Sequence, residues 1–312
     1  MRLLRFVPDD TKVDFIRRRF IAFGITGLLF LITIASVSIK GLNFGIDFEG
    51  GILLEVKSQH AFDLAPLRAK LGSLDLGQVT LQTFGDPSDL LIRVQRQPGG
   101  EKPQQAAVEK VRAALGPGID YRRIEVVGPK VSGELLQKGA LASALAIVAI
   151  GVYVAFRFEW QFGIAAFVAT LHDVVTTIGV FSVLGLEFDL TAIAAILTIA
   201  GYSVNDTVVV FDRIRENLRK YKTMSLKDLF NLSVNETLSR TIMTSSTTML
   251  AVLALMFVGG PVIRNFSVAM LWGIITGTYS SIYVAAALLL YLKPLRRSAG
   301  TSATAEPEAK KS

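Results

Sequence analysis

The sequence predicts an α-helical membrane protein with six transmembrane helices and a domain outside the membrane between the first and second. The domain is α+β, in the ferredoxin-like order β-α-β-β-α-β. Three observations lead there. Six stretches approach 20 residues with almost no charge, and about 20 residues rising 1.5 Å each cross the ~30 Å hydrocarbon core. Lys and Arg gather on alternate connections. One long hydrophilic segment, 40–138, carries strand and helix periodicities of its own. The 51% hydrophobic content is ordinary for soluble domains as well, so clustering decides and amount does not.

The expected spans are 20–39, 139–156, 162–184, 190–210, 242–258 and 266–292, the last long enough to tilt or to emerge from the bilayer. Residues 1–19 form a basic N-terminus with six Lys/Arg. The 212–240 loop carries seven, and the tail 293–312, expected to be disordered, carries five. The opposite loops 185–189 and 259–265 carry none and one. This is the positive-inside pattern. It assigns both termini, the 157–161 turn and the 212–240 loop to the cytoplasm, and 40–138 to the outside, where 13 Lys/Arg face 12 Asp/Glu. The net charge of +7 therefore follows topology and points to membrane lipid, not to nucleic acid. The first span reads as an uncleaved anchor: Ser36-Val37-Ser38 has the small-x-small form of a cleavage site, but the apolar run exceeds a signal peptide's h-region.

Within 40–138, residues 52–56 form a strand after Gly50-Gly51. Asp63 caps a short helix ending at Leu71, and 79–84 and 90–95 form a hairpin around 85–88. Ala107, Val108, Val111 and Leu115 lie at helical spacing in 103–115, which stops at Gly116-Pro-Gly118. A last strand, 119–127, completes the split pattern. The five remaining spans form a bundle, 139–292.

Much chemistry is excluded. Without cysteine the chain has no disulfide, thiolate ligand or cysteine nucleophile, and His60 and His172 alone make no zinc cluster. There is no G-x-x-x-x-G-K-[ST] loop to seat nucleotide hydrolysis, and no cofactor is expected. What stands out is ionisable residues inside spans, which are costly and mark ion pathways. The third span holds His172-Asp173, the fourth Asn205-Asp206, and Arg240 stands at the entrance to the fifth. Asp206 lies 16 residues past Leu190, about 24 Å along a helix, and needs a partner or a proton there. It reads either as a static buried pair or, the favoured reading, as a carboxyl whose protonation alternates with access. Arg240 keeps its charge and can modulate such an acid, or it can simply snorkel to headgroups. His172 and Asp173 point about 100° apart on a helix, so one is expected to face the bundle and the other to find a water, or the two serve as structural interhelical hydrogen-bonding groups. Gly273, Gly277 and Ser281 form a small-residue stripe for close helix contact, as do Ala192, Ala195 and Ala200-Gly201. Residues 212–217 continue the fourth span as a helix.

Several runs are familiar. Gly41-Leu-Asn-Phe-Gly-Ile-Asp-Phe-Glu-Gly-Gly51, Thr198-Ile-Ala-Gly-Tyr-Ser-Val-Asn-Asp-Thr-Val-Val-Val-Phe-Asp-Arg-Ile-Arg-Glu-Asn217, Ser239-Arg-Thr-Ile-Met-Thr-Ser-Ser-Thr-Thr248 and Phe257-Val-Gly-Gly-Pro261 resemble the SecD/SecF family of the RND superfamily, and within it the SecF half. The resemblance covers nearly the whole chain up to about residue 295. It implies a six-span RND half-unit of the bacterial inner membrane, packed about a pseudo-two-fold axis against a SecD-like subunit. It implies that a proton gradient drives external domains that assist preproteins through the SecYEG translocon, with SecA, YajC and YidC as associated partners. Asp206 matches the family's fourth-span acid, Arg240 the basic residue near the start of the fifth span, and Asp173 an acid in the third; His172 and Asn205 adjoin them. SecD's own membrane acid and large external domain are missing, so the chain should not be a complete motor. The slim faces are expected to contribute to the partner interface, with the alternative that the Gly273 and Gly277 contact lies within this chain. Two other readings are half of a small-molecule exporter and a passive translocon scaffold.

Overall fold

The computed structural model of the chain describes residues 11–260 and 263–292. Residues 1–10 of the basic N-terminus, Pro261 of the fourth motif and the tail 293–312 lie outside them. Among the described residues, six helices are long and apolar enough to cross a membrane. They are α1 (Arg19–Lys40), α5 (Pro129–Arg157), α6 (Trp160–Leu184), α7 (Leu190–Lys220), α8 (Leu226–Val258) and α9 (Arg264–Tyr279), which runs through a π-helical turn (Ser280–Ala285) into α10 (Ala286–Leu288). The chain is thus an α-helical multi-pass membrane protein.

Between α1 and α5 lie β1 (Asn43–Phe44), α2 (Ile46–Glu49), β2 (Gly51–Lys57), α3 (Leu64–Gly72), β3 (Val79–Phe84), β4 (Asp86–Gln95), α4 (Glu101–Leu115) and β5 (Asp120–Val127). The last four strands make an antiparallel sheet in the order β3-β4-β2-β5. Alternation builds its core. Ile52, Leu54 and Val56 of β2 and Leu90, Ile92 and Val94 of β4 point to one face and are buried, as a period of two requires. On that face they meet Leu71 of α3 and Ala107, Val108 and Val111 of α4. The Asp63 carboxylate accepts from Ala65 N at 3.2 Å and starts α3. Gly51 has φ +134°, and a Cβ there would lie 2.7 Å from the Val94 carbonyl. The second glycine of the Gly-Gly pair is therefore required by both backbone angle and strand approach.

Three boundaries differ from expectation. Helix α5 begins at Pro129, ten residues before the expected span, because Pro suits the first helical turn and starts the helix directly after β5. The 212–240 segment is not a loop: α7 runs to Lys220 and α8 starts at Leu226, capped by Ser225, whose hydroxyl accepts from Asp228 N. The two form a helical hairpin. The N-terminal arm docks on it, with Val13 N and Phe15 N donating to the side-chain oxygens of Asn235 and Asn231.

For the glycine stripe, the structure shows the internal one of the two expected contacts. Gly273 packs on Ile199, and Gly277 on Ser203, both of α7 in the same chain. This close contact is internal.

Candidate functional site

Two apolar clusters fill the bundle. Toward the sheet domain lie Val174, Phe181, Ile196, Ile199, Ala200, Met270 and Ile274. Toward the termini lie Phe162, Ala169, Val210, Phe211, Phe230, Leu238 and Ile282. Where they meet, the buried side chains turn polar: His172 and Asp173 of α6, Ser203, Asp206 and Thr207 of α7, Thr241 and Ser245 of α8, and Ser280.

Asp173, with no exposure, is the best-connected member. One carboxylate oxygen lies 2.9 Å from His172 Nδ1; the other accepts from Ser203 Oγ at 2.5 Å and Ser280 Oγ at 2.8 Å. This corrects the expectation that the adjacent pair would diverge. Side-chain torsions swing the ring and the carboxylate together, and both are buried. From the other edge of the ring, His172 Nε2 lies 3.5 Å from Thr26 Oγ1 of α1, which is 3.3 Å from the Tyr279 hydroxyl; that hydroxyl donates to Ala22 O at 2.6 Å. One network thus joins α1, α6, α7 and the π-helical turn. The wider spacing of that turn follows directly after Tyr279 and bears Ser280, and π turns recur at functional sites.

Asp206 stands one helical turn beyond Ser203 on α7, on the same face. It is 4% exposed. Oδ1 accepts from Thr241 Oγ1 of α8 at 3.3 Å, while Oδ2 is buried with no hydrogen-bond partner. Arg240 precedes that threonine but is exposed, and among the described residues no ion pair joins it to Asp206. Asn205 is also exposed, one step round α7 from the acid. Of the five residues singled out in the sequence, the structure brings His172 and Asp173 into contact, sets Asp206 one turn along the helix from Asp173's ligand Ser203, and leaves Arg240 and Asn205 on the outer face of α7 and α8. Ser203, Thr241, Ser280, Thr26 and Tyr279 were not singled out; the first lies three residues before Asp206, a spacing that signals a shared face.

Residues 107–294 match the family described as protein export membrane protein SecD/SecF, C-terminal, and residues 35–61 match the SecD/SecF GG motif. This chain belongs to the SecD/SecF family of protein-export membrane proteins. Protein translocase subunit SecF of Rhodobacter capsulatus is 48% identical over 304 residues, spanning 93% of this chain and 91% of that protein. The corresponding subunit of Rickettsia akari is 46% identical over 290 residues, spanning 92% and 94%. Among solved structures, SecDF of Thermus thermophilus, described as translocon-associated, superposes with a TM-score of 0.82 at 36% identity. The match spans 92% of this chain and 39% of that one. SecDF in a super-membrane-facing form gives 0.66 at 37% identity. The SecD/SecF C-terminal match contains all the buried polar residues of α6–α9, and the GG-motif match holds the Gly50-Gly51 turn.

Proposed function

We propose that this chain works as a SecF-type subunit of the Sec translocase accessory complex, taking up protons at Asp206 from the proton-motive force and, with a SecD-like partner, promoting late stages of preprotein export. The observation that carries the reading is Asp206 itself: a carboxyl buried at membrane depth, held by one weak hydroxyl contact, with its second oxygen unpartnered. A charged carboxylate so placed is costly, whereas a proton or a moving cation relieves it. Static packing gives no reason to keep such a group. In this reading Arg240, one position from Thr241, acts as that cation when α7 and α8 shift, and Asp173 with His172 acts as the neighbouring polar relay. The membrane potential supplies about 2.3 kcal/mol per charge per 100 mV, enough to bias a switch without nucleotide.

Two further features support the reading. Thr198, Gly201 and Asn205 of α7 and Arg240 and Thr247 of α8 are exposed, a polar surface poorly suited to lipid and well suited to the complementary half of an RND-type bundle. The β-α-β-β-α-β order with sheet order β3-β4-β2-β5 supports a ferredoxin-like external domain. By the positive-inside bias, the subunit sits in the inner membrane with both termini in the cytoplasm and that domain outside, where it works beside SecYEG.

The test is export of a reporter preprotein, with and without a proton gradient, by cells carrying Asp206→Asn. The variant should insert and assemble with its SecD-like partner yet lose gradient-dependent stimulation, and Asp206→Glu should keep part of it. Full stimulation in Asp206→Asn would make Asp206 structural and pass the role to Asp173.

A further inference from the structure

The helices that carry the two buried acids, α6 and α7, are joined by a five-residue turn, 185–189, and that turn is bound into the external domain. Its Glu187–Phe188 forms β6, paired in parallel with β1 through Asn43↔Glu187 and Phe44↔Phe188. Gly45 N donates to Phe188 O at 2.9 Å, Leu190 N to Asp47 Oδ2 at 2.9 Å, and Asn43 Nδ2 to Gly185 O at 3.2 Å. Phe44, Phe48, Phe181 and Phe188 pack as one aromatic cluster with centroids 5.3–6.1 Å apart. These contacts hold the turn to the stretch that enters the sheet, but none touches the sheet itself. One side-chain pair does. Glu187 is ion-paired with Arg93, which lies in the middle of β4 opposite Leu53 and Thr80, and both side chains are about four-fifths buried (22% and 21% exposed).

We infer that the Arg93–Glu187 pair is the joint through which a shift of α6 against α7 is delivered to the four-stranded sheet, making Arg93 and Glu187 positioning residues for the coupled motion. The inference rests on the proton-coupling reading above. The geometry favours this over a mere surface staple. From Asp173 to the end of α6 is 11 residues, about 16 Å of unbroken helix, so rotation or sliding at the acids reaches the turn undiminished. The turn is too short to absorb it, and Gly45 has no spare room: a Cβ there would lie 2.8 Å from Glu187 Oε1. Among the described residues, Arg93 is the one cation paired with this acidic turn. Asp47 and Asp189 flank Glu187, and burial together with these acids pushes its carboxyl above the usual range against the pull of Arg93. Without Arg93, then, no described residue of the sheet is ion-paired with the turn.

The chain has no cysteine, so two introduced cysteines carry fluorophores unambiguously. We would place them at Gln82, exposed on β3, and Leu145, exposed on α5, and follow energy transfer in the full chain reconstituted with its SecD-like partner, with the proton gradient off and on. The expected result is a gradient-dependent distance change in the otherwise native protein. It should be absent in Asp206→Asn, lost in Arg93→Gln and in Glu187→Gln, and regained in the reversed pair Arg93→Glu with Glu187→Arg. Gel filtration of each complex separates loss of the joint from loss of fold. A native-like distance change in folded Arg93→Gln and Glu187→Gln overturns the joint and leaves the coupling reading standing. A folded reversed pair that stays silent also overturns the joint. No gradient response in the native pair of sites overturns the coupling reading, and the joint with it.

Discussion

Replacing Gly273 by alanine puts a methyl group where Ile199 already lies. A Cβ at this position would be 2.6 Å from Ile199 Cδ1 and 2.7 Å from Cγ2, against the 3.5–4.0 Å at which carbons rest in contact. Ile199 is fully buried, so any shift of its side chain is made against packed neighbours. Overpacking of this kind costs about 1–3 kcal/mol, while alanine returns up to about 1 kcal/mol of helix propensity over glycine. The net expectation is a loss of about 0–2 kcal/mol by that difference, with Gly273→Leu worse. Gly201 is the control: it sits on the adjoining helix, exposed, and a Cβ there meets nothing within 4 Å. Gly201→Ala should be neutral or gain up to about 1 kcal/mol. The assay is reversible unfolding of the purified chain in mixed micelles, titrated with a denaturing detergent. If Gly273→Ala is as stable as Gly201→Ala, then α7 and α9 do not meet at this stripe and the packing argument fails.

Cysteine in place of Asp86 should react with a membrane-impermeant maleimide in intact spheroplasts, while cysteine in place of Lys222 should not; the opposite labelling inverts the orientation. Ser280→Ala removes one of the two hydroxyl donors to buried Asp173 Oδ2 and should cost about 0.5–1.5 kcal/mol in the same micelle titration, the range for an ordinary hydrogen bond; an unchanged midpoint refutes the contact. Glu187 should titrate above 4.5, followed by carbon-detected NMR of labelled glutamate. Asp189→Asn should lower its midpoint and Arg93→Gln raise it. Because the folded-state value is the raised one, folded protein takes up this proton first as pH falls, so acidification through that window favours the fold at this site and alkalinisation removes the benefit. A midpoint at or below 4.5 contradicts the burial argument.

Much of the architecture was legible because the bilayer imposes long, simple signals. An acid within an apolar run, as at Asp173 or Asp206, is conspicuous for its cost alone. The residues that complete the site were harder to see. Ser203, Thr241 and Ser280 have the same composition as Thr244, Thr247 and Thr248, which simply bond carbonyls of their own helix three or four residues back; only the phase of packed helices separates the two kinds. That phase also sets Thr241 toward Asp206 and turns its neighbour Arg240 outward. The two-residue strands β1 and β6 pair across 144 positions, from Asn43 to Glu187, and are too short for periodicity to signal. Nor does Ser280-Ser-Ile-Tyr-Val-Ala285 contain a proline or glycine to announce a π-helical turn.

The docked N-terminal arm has a consequence for how the subunit is made. Val13 bonds Asn235 across a separation of 222 residues, with Phe15 and Ile16 buried in the cluster that includes Leu229, Phe230 and Val234. During synthesis the arm leaves the ribosome before α8, yet its seat is completed only when α8 has emerged, after α1, α5, α6 and α7. Until then its apolar side chains have no place to go. Closure of the arm is therefore a late event in biogenesis, and a nascent chain stalled before α8 holds its first span in the bilayer with the arm unseated.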